Sequence, residues 1–269
     1  MSEAMPAPAG LLRRRTVLLL VAGTFAIGVA LAKEPPLVAA ASDLKFALEE
    51  IAADFRAAKG ADVRLVFGSS GNFARQIRQG APFSLFLSAD EAFVLGLARD
   101  GWARDAGVLY AVGRIAVAAA PDSPIAVDSR LDGIAAALAE GRLERFAIAN
   151  PEHAPYGLRA KEALVYRGLW SELEPRLVYG ENIAQTTQFV VSGSVPAGIV
   201  ALSLALAPPL AGKLRYAAIP AEWHEPLNQR MALLRHAGPM AEAFYAWLQS
   251  ERARAVFRRY GFLLPGESH

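Results

Sequence analysis

Four short stretches place hydroxyls or turn-forming residues directly in front of a helical pattern. They are Ala41-Ser42, Gly68-Ser69-Ser70-Gly71, Pro155-Tyr156-Gly157 and Asn182-Ile183. Each follows an apolar run that reads as a strand. A helix start carries four backbone N–H groups without partners and the positive end of the helix dipole, so it suits an anion. Taken alone, Ser69 and Ser70 read most simply as helix caps, and Ser42 sits equally well as an N-cap. Recurrence points further. Four neutral donor loops around one dehydrated anion would give each oxygen a hydrogen bond, which its burial demands. In open parallel sheets such loops gather at the carboxyl ends of the strands.

Other chemistries find little support. The 269-residue chain has no cysteine, which excludes thiol catalysis and cysteine metal sites. Its four histidines, at 153, 224, 236 and 269, show no metal-ligand spacing. There is no Walker loop, no dinucleotide fingerprint and no Gly-x-Ser-x-Gly elbow. The best enzyme reading pairs Ser70 with His153 as nucleophile and base, yet no motif ties the two together. No enzyme and no cofactor are expected.

Charge and the amino terminus bound the setting. Arg13, Arg14 and Arg15 precede an apolar run from Thr16 to Leu31, and Ala30-Leu31-Ala32 fits a small-x-small cleavage site. Residues 1–32 therefore read as a secretory signal cleaved after about Ala32, with retention as a membrane anchor the alternative. The chain has 28 Lys and Arg against 26 Asp and Glu. The leader holds three of the arginines and Glu3, so its removal leaves equal numbers of each sign. No nucleic-acid partner is expected from that balance.

The elements that must position the four loops alternate between strand and helix. The expected order is strand 37–41, helix 43–59, strand 63–67, helix 70–79, strand 84–87 and helix 89–99, with Gly60, Gly80 and Gly101 as stops. A long extended segment at 108–120 reads as the crossing into a second lobe. Helix 131–140, strand 145–149, helix 158–167, strand 176–179, helix 183–192 and strand 197–201 follow. Return strands at 214–219 and 231–234 and helices 239–248 and 252–260 close the chain. The pattern predicts an α/β protein of two lobes, each a mainly parallel sheet flanked by helices. The expected division is 33–112 with 206–269 for one lobe, and 113–205 for the other.

The chain resembles the periplasmic molybdate-binding proteins of ABC importers. The resemblance runs from about Leu37 to Phe262. It is carried by Ala-Ala-Ala-Ser (39–42), Phe-Gly-Ser-Ser-Gly-Asn-Phe-Ala-Arg-Gln-Ile (67–77), Leu-Phe-Leu-Ser-Ala-Asp (85–90), Asn-Pro-Glu-His-Ala-Pro-Tyr-Gly (150–157), Gly-Glu-Asn-Ile-Ala-Gln (180–185) and Arg-Tyr-Gly-Phe (259–262). It implies a type II periplasmic binding fold closing on a tetrahedral oxyanion. It further implies a monomer that captures molybdate or tungstate and passes it to a membrane permease. The family's cleft serines correspond to Ser42 and Ser70, and its backbone donors to Tyr156 and Ile183. Ser69 and Asn182 are further candidates. Ala201 stands where many members place a tyrosine hydroxyl, and Tyr156, Ser203 or a water is expected to fill that role. The alternatives are a receptor for another oxyanion or a small organic acid, or a sensory solute-binding protein without a transport role.

Overall fold

The computed structural model describes Met1, Ala4 and residues 34–267. The leader expected over residues 1–32, and its cleavage near Ala32, lie outside the described residues, as does His269. Everything below concerns the compact unit that begins at Pro35.

The first half opens with β1 (Leu37–Ala41), a 3-10 turn at Ser42–Leu44 and α1 (Lys45–Lys59). It continues with β2 (Arg64–Gly68), α2 (Ser70–Arg78), β3 (Leu85–Ser88), α3 (Glu91–Arg99) and β4 (Val108–Gly113). The second half holds β5 (Ile115–Ala119), α4 (Asp132–Ala139), β6 (Phe146–Ala149), α5 (Pro155–Tyr166) and α6 (Trp170–Leu173). It goes on through β7 (Leu177–Gly180), α7 (Ile183–Val191), β8 (Ala197–Ala201), α8 (Leu202–Ala205) and β9 (Arg215–Ala218). The chain ends with β10 (Leu227–Leu233), α9 (Pro239–Leu248) and α10 (Glu251–Arg259).

Two five-stranded sheets result, in the orders β2-β1-β3-β10-β4 and β7-β6-β8-β5-β9. β1 pairs in parallel with β2 and β3, while β10 runs antiparallel to β3 and β4. β6 pairs in parallel with β7 and β8, while β5 runs antiparallel to β8 and β9. Both sheets are thus mixed: four strands share a direction and one opposes them. The two opposing strands are the ones that follow each crossing between sheets.

The long segment expected at 108–120 is two strands in different sheets, and the chain crosses at Arg114 between them. The return crossing falls between Ala218 and Leu227. The expected return at residue 206 needs correction, because Arg215–Ala218 pairs with Ala116–Ala119 in the second sheet. β9 is an edge strand with Arg215 and Tyr216 exposed. Such a strand has too little apolar pattern to announce its partner. β10 also starts earlier than expected, at Leu227.

Burial explains the layers. β1, β3, β5, β6 and β8 are apolar along almost their whole length and lie covered on both faces, as strands between helix layers must be. α1 turns Leu48, Ile51, Ala52 and Phe55 inward and ends at Gly60 in the left-handed conformation (φ 63°). The arginines of α10 face outward and pair with acids: Arg252 lies 2.6 Å from Asp54, and Arg258 2.7 Å from Glu251.

Candidate functional site

Ser42, Ser69, Ser70, Tyr156 and Ile183 converge on one small cavity of about 10 Å³, with Asp43 in its wall. The loops come from both sheets. β1 runs into the 3-10 turn that carries Ser42 and Asp43, and β2 into the start of α2. From the other side come the turn after β6, which starts α5, and the turn after β7, which starts α7. Close approach is built into these turns. A Cβ on Gly157 would sit 2.1 Å from the Ala149 carbonyl oxygen, and one on Gly71 would sit 2.7 Å from that of His153.

The serines do not cap their helices. Ser42 is the first residue of the 3-10 turn and Ser70 the first residue of α2. Ser69 holds the N-cap position without a side-chain cap bond. Their hydroxyls turn elsewhere. Ser42 Oγ accepts from the Ala184 N–H across the cavity at 3.2 Å. Ser70 Oγ accepts from the Ala89 N–H at 2.9 Å, and Ser69 Oγ pairs with His153 Nδ1 at 3.0 Å. A hydroxyl offers one proton and two lone pairs. With a lone pair of Ser42 and of Ser70 engaged by a backbone donor, each keeps its proton to give. Both residues are buried, at 3% and 0% exposure.

The opposite wall offers backbone. Tyr156 and Ile183 sit in the first turns of α5 and α7, where N–H groups have no intrahelical acceptor. Neither amide has an acceptor among the described residues. Asn182 caps α7, accepting from Ala184 and Gln185, and leaves the Ile183 N–H free. Gly157 and Leu158 N–H groups both turn to the Ala154 carbonyl. No Lys, Arg or His lines the cavity among the described residues. The site is thus a set of neutral donors at helix starts.

Three candidates stand elsewhere. Asn182 is a cap outside the wall. Ser203 donates its hydroxyl to the Asp43 carbonyl at 2.8 Å. Ala201 is buried at the end of β8 and does not line the cavity. The Tyr156 hydroxyl donates to Asp43 Oδ2 at 2.9 Å. Neither of the side chains expected to replace a hydroxyl at Ala201 is therefore free.

Beneath the cavity lies a polar cluster that sequence reasoning missed. Asp43 Oδ2 accepts from Tyr156 and, at 2.6 Å, from Gln229 Nε2. Gln229 Oε1 in turn accepts from the Tyr110 hydroxyl at 2.8 Å. Asp43 Oδ1 is buried without a hydrogen-bond partner of good geometry among the described residues. Burial pushes the Asp43 carboxyl up to about 6, against the pull of the Gln229 and Tyr156 hydrogen bonds and of the Asp43 and Leu44 backbone N–H groups. Burial, with Asp43 next, pushes both tyrosines well above their ordinary range. Gln229 sits where the β10–β4 register shifts, a bulge that re-aims a side chain. Its signal was readable: in Leu227-Asn228-Gln229-Arg230-Met231 it alternates onto the apolar side.

A second set of contacts ties the two sides at the rim. The Gly71 N–H donates to the His153 carbonyl at 2.9 Å. His153 Nε2 lies 3.5 Å from Glu181, which Asn72 also binds. Arg159 reaches Asp90 at 3.3 Å. His153 therefore meets Ser69 and not Ser70, so the pairing weighed from the sequence is not formed.

The profile of the bacterial extracellular solute-binding proteins matches residues 36–263. The chain belongs to that family. Within it, the chain is 36% identical over 248 residues to the molybdate-binding protein ModA of Escherichia coli, covering 90% of this chain and 94% of that protein. It is 34% identical over 232 residues to the molybdate-binding protein ModA of Rhodobacter capsulatus, covering 84% and 87%. The solved periplasmic molybdate-binding protein of Azotobacter vinelandii superposes with a TM-score of 0.76 at 30% identity, over 86% of this chain and 99% of that one. The two mixed sheets are the type II periplasmic binding fold of this solute-binding family.

Proposed function

We propose that this solute-binding protein captures molybdate, and with it tungstate, and hands the oxyanion to the membrane permease of an ABC importer from outside the cytoplasm. One observation carries the reading. Two buried serine hydroxyls with protons to give face two helix-start N–H groups that have no acceptor, across a cavity that no cation lines among the described residues. Such a site suits a compact tetrahedral anion whose every oxygen needs a donor. Relatives named for molybdate binding, matched over most of their length, support the choice of anion. Tungstate has nearly the same size and shape, so donor geometry alone can hardly separate it from molybdate. The role is binding and not catalysis. Ser69, His153 and Glu181 are aligned, but the Glu181 side chain is 61% exposed, whereas a triad needs a buried acid to hold its base.

Thermal unfolding tests the reading. At about a hundred times the dissociation constant, ligand stabilises by about 2.7 kcal/mol, which raises Tm by roughly 5–11 °C for a chain this long. Molybdate and tungstate are expected to give that rise, with sulfate and phosphate giving none. A response to no oxyanion would overturn the proposal.

A further inference from the structure

The oxyanion reading leaves an acid in the wall of an anion site. Asp43 lines the cavity beside Ser42 with its side chain fully enclosed. No cation faces it. From α5 it meets Tyr156, from β10 the neutral Gln229, and from α8 the Ser203 hydroxyl on its backbone carbonyl. Tyr110 on β4 stands behind Gln229. The titratable groups near it are thus two tyrosines kept neutral by burial. An ionised Asp43 would oppose any anion bound beside it, with nothing to offset the two like charges.

The hydrogen bonds show which oxygen a proton would take. Oδ2 already accepts from both Tyr156 and Gln229, so it is the carbonyl-like oxygen of a neutral acid. Oδ1 has no hydrogen-bond partner of good geometry among the described residues, and only the backbone N–H groups of Asp43 and Leu44 lie near the carboxyl. A proton there turns a buried orphan acceptor into a donor on a residue of the cavity wall. We propose that Asp43, protonated on Oδ1, donates to the bound oxyanion, so that capture of a fully ionised tetrahedral anion takes up one proton. This rests on the oxyanion reading above and adds a specificity rule to it. A neutral acid gives a hydrogen bond to a dianion. An ionised carboxylate would instead accept one from a protonated anion such as hydrogen phosphate.

The ionisation of free Asp43 near neutrality supports this, since both forms are then within reach of ordinary pH. The test is calorimetric titration of the protein with molybdate from about pH 6 to about pH 8, in buffers of different ionisation enthalpy, which count protons directly. Wild-type affinity is expected to fall about tenfold per pH unit above the carboxyl's pKa, with uptake approaching one proton per anion. Asp43→Asn keeps an acceptor for Tyr156 and Gln229 and supplies a permanent N–H donor. Its affinity is expected to be flat with pH and free of proton uptake. Flat affinity without uptake in the wild type would overturn the inference while leaving the receptor intact. Uptake that persists in Asp43→Asn, or phosphate bound more tightly as pH rises, would also overturn it. Absence of binding by molybdate, tungstate, sulfate and phosphate at every pH would overturn the oxyanion reading itself.

Discussion

The two walls of the cavity are built on one strand order but present different groups. The first sheet delivers Ser42 and Ser70, whose hydroxyls project from the turns after β1 and β2. The second delivers Tyr156 and Ile183, whose useful atoms are backbone N–H groups at the starts of α5 and α7. Topology places helix starts at the carboxyl ends of strands in both halves and is indifferent to which atom donates. Side chains are replaceable one by one. Backbone donors are not, because only the fold and its close approaches position them. The first wall should therefore respond to deletion of an atom, and the second to anything that moves a helix start.

The sharpest break in that comparison is removal of both hydroxyls. Hydrogen bonds to a charged group contribute about 1.5–3 kcal/mol each. Ser42→Ala with Ser70→Ala should thus weaken molybdate binding by about 10²–10⁴-fold, read by titration calorimetry. A loss below tenfold would mean that the backbone wall alone holds the anion.

Asp43 tests the floor beneath both walls through stability. Its carboxyl is raised from 3.8 to about 6 on folding. The folded state therefore binds the proton more tightly than the unfolded one. The stability this gives is complete below about pH 3.8 and is lost as pH rises through about 6. The span corresponds to on the order of 3 kcal/mol. Chemical denaturation of ligand-free Asp43→Asn should lack this component and give a protein more stable than wild type near pH 8. Equal pH profiles for the two proteins would show that Asp43 is not buried as described.

Gly71 sharpens the contrast between position and atom. Its added Cβ would meet the backbone of His153 across the cavity, whereas within α2 alanine is the better helix former. Gly71→Ala should cost binding about ten- to a hundredfold through overpacking at the closed rim. It should leave the ligand-free Tm unchanged or slightly higher. A drop in the ligand-free Tm would place the clash within one half instead. The smallest effect is expected at Glu181. Its side chain is largely exposed, and such pairs contribute about 0–1 kcal/mol. Glu181→Gln should change affinity by no more than about fivefold.

The sequence alone determined a good deal. Apolar runs closed by glycine or by small polar turns gave β1, β3, β8, α7 and α9 nearly to the residue. They did so because these segments are buried on predictable faces and stopped by residues that cannot continue them. The four loops that carry Ser42, Ser70, Tyr156 and Ile183 were legible because each is a strand-to-helix turn, a local pattern, and the family resemblance singled out these residues within them. What the tertiary structure decided is non-local. Whether a serine caps its own helix or faces the opposite wall depends on a donor such as the Ala184 N–H, 142 residues away. The partner of β9 depends on which edge of which sheet is open. In the sequence Asp43 stands at a helix start, where a negative charge is favourable. Only the fold brings Tyr156 and Gln229 to one of its oxygens, leaves the other without a hydrogen-bond partner of good geometry among the described residues, and removes water from both. Desolvation is a property of everything packed around a group, and no neighbour in the chain encodes it.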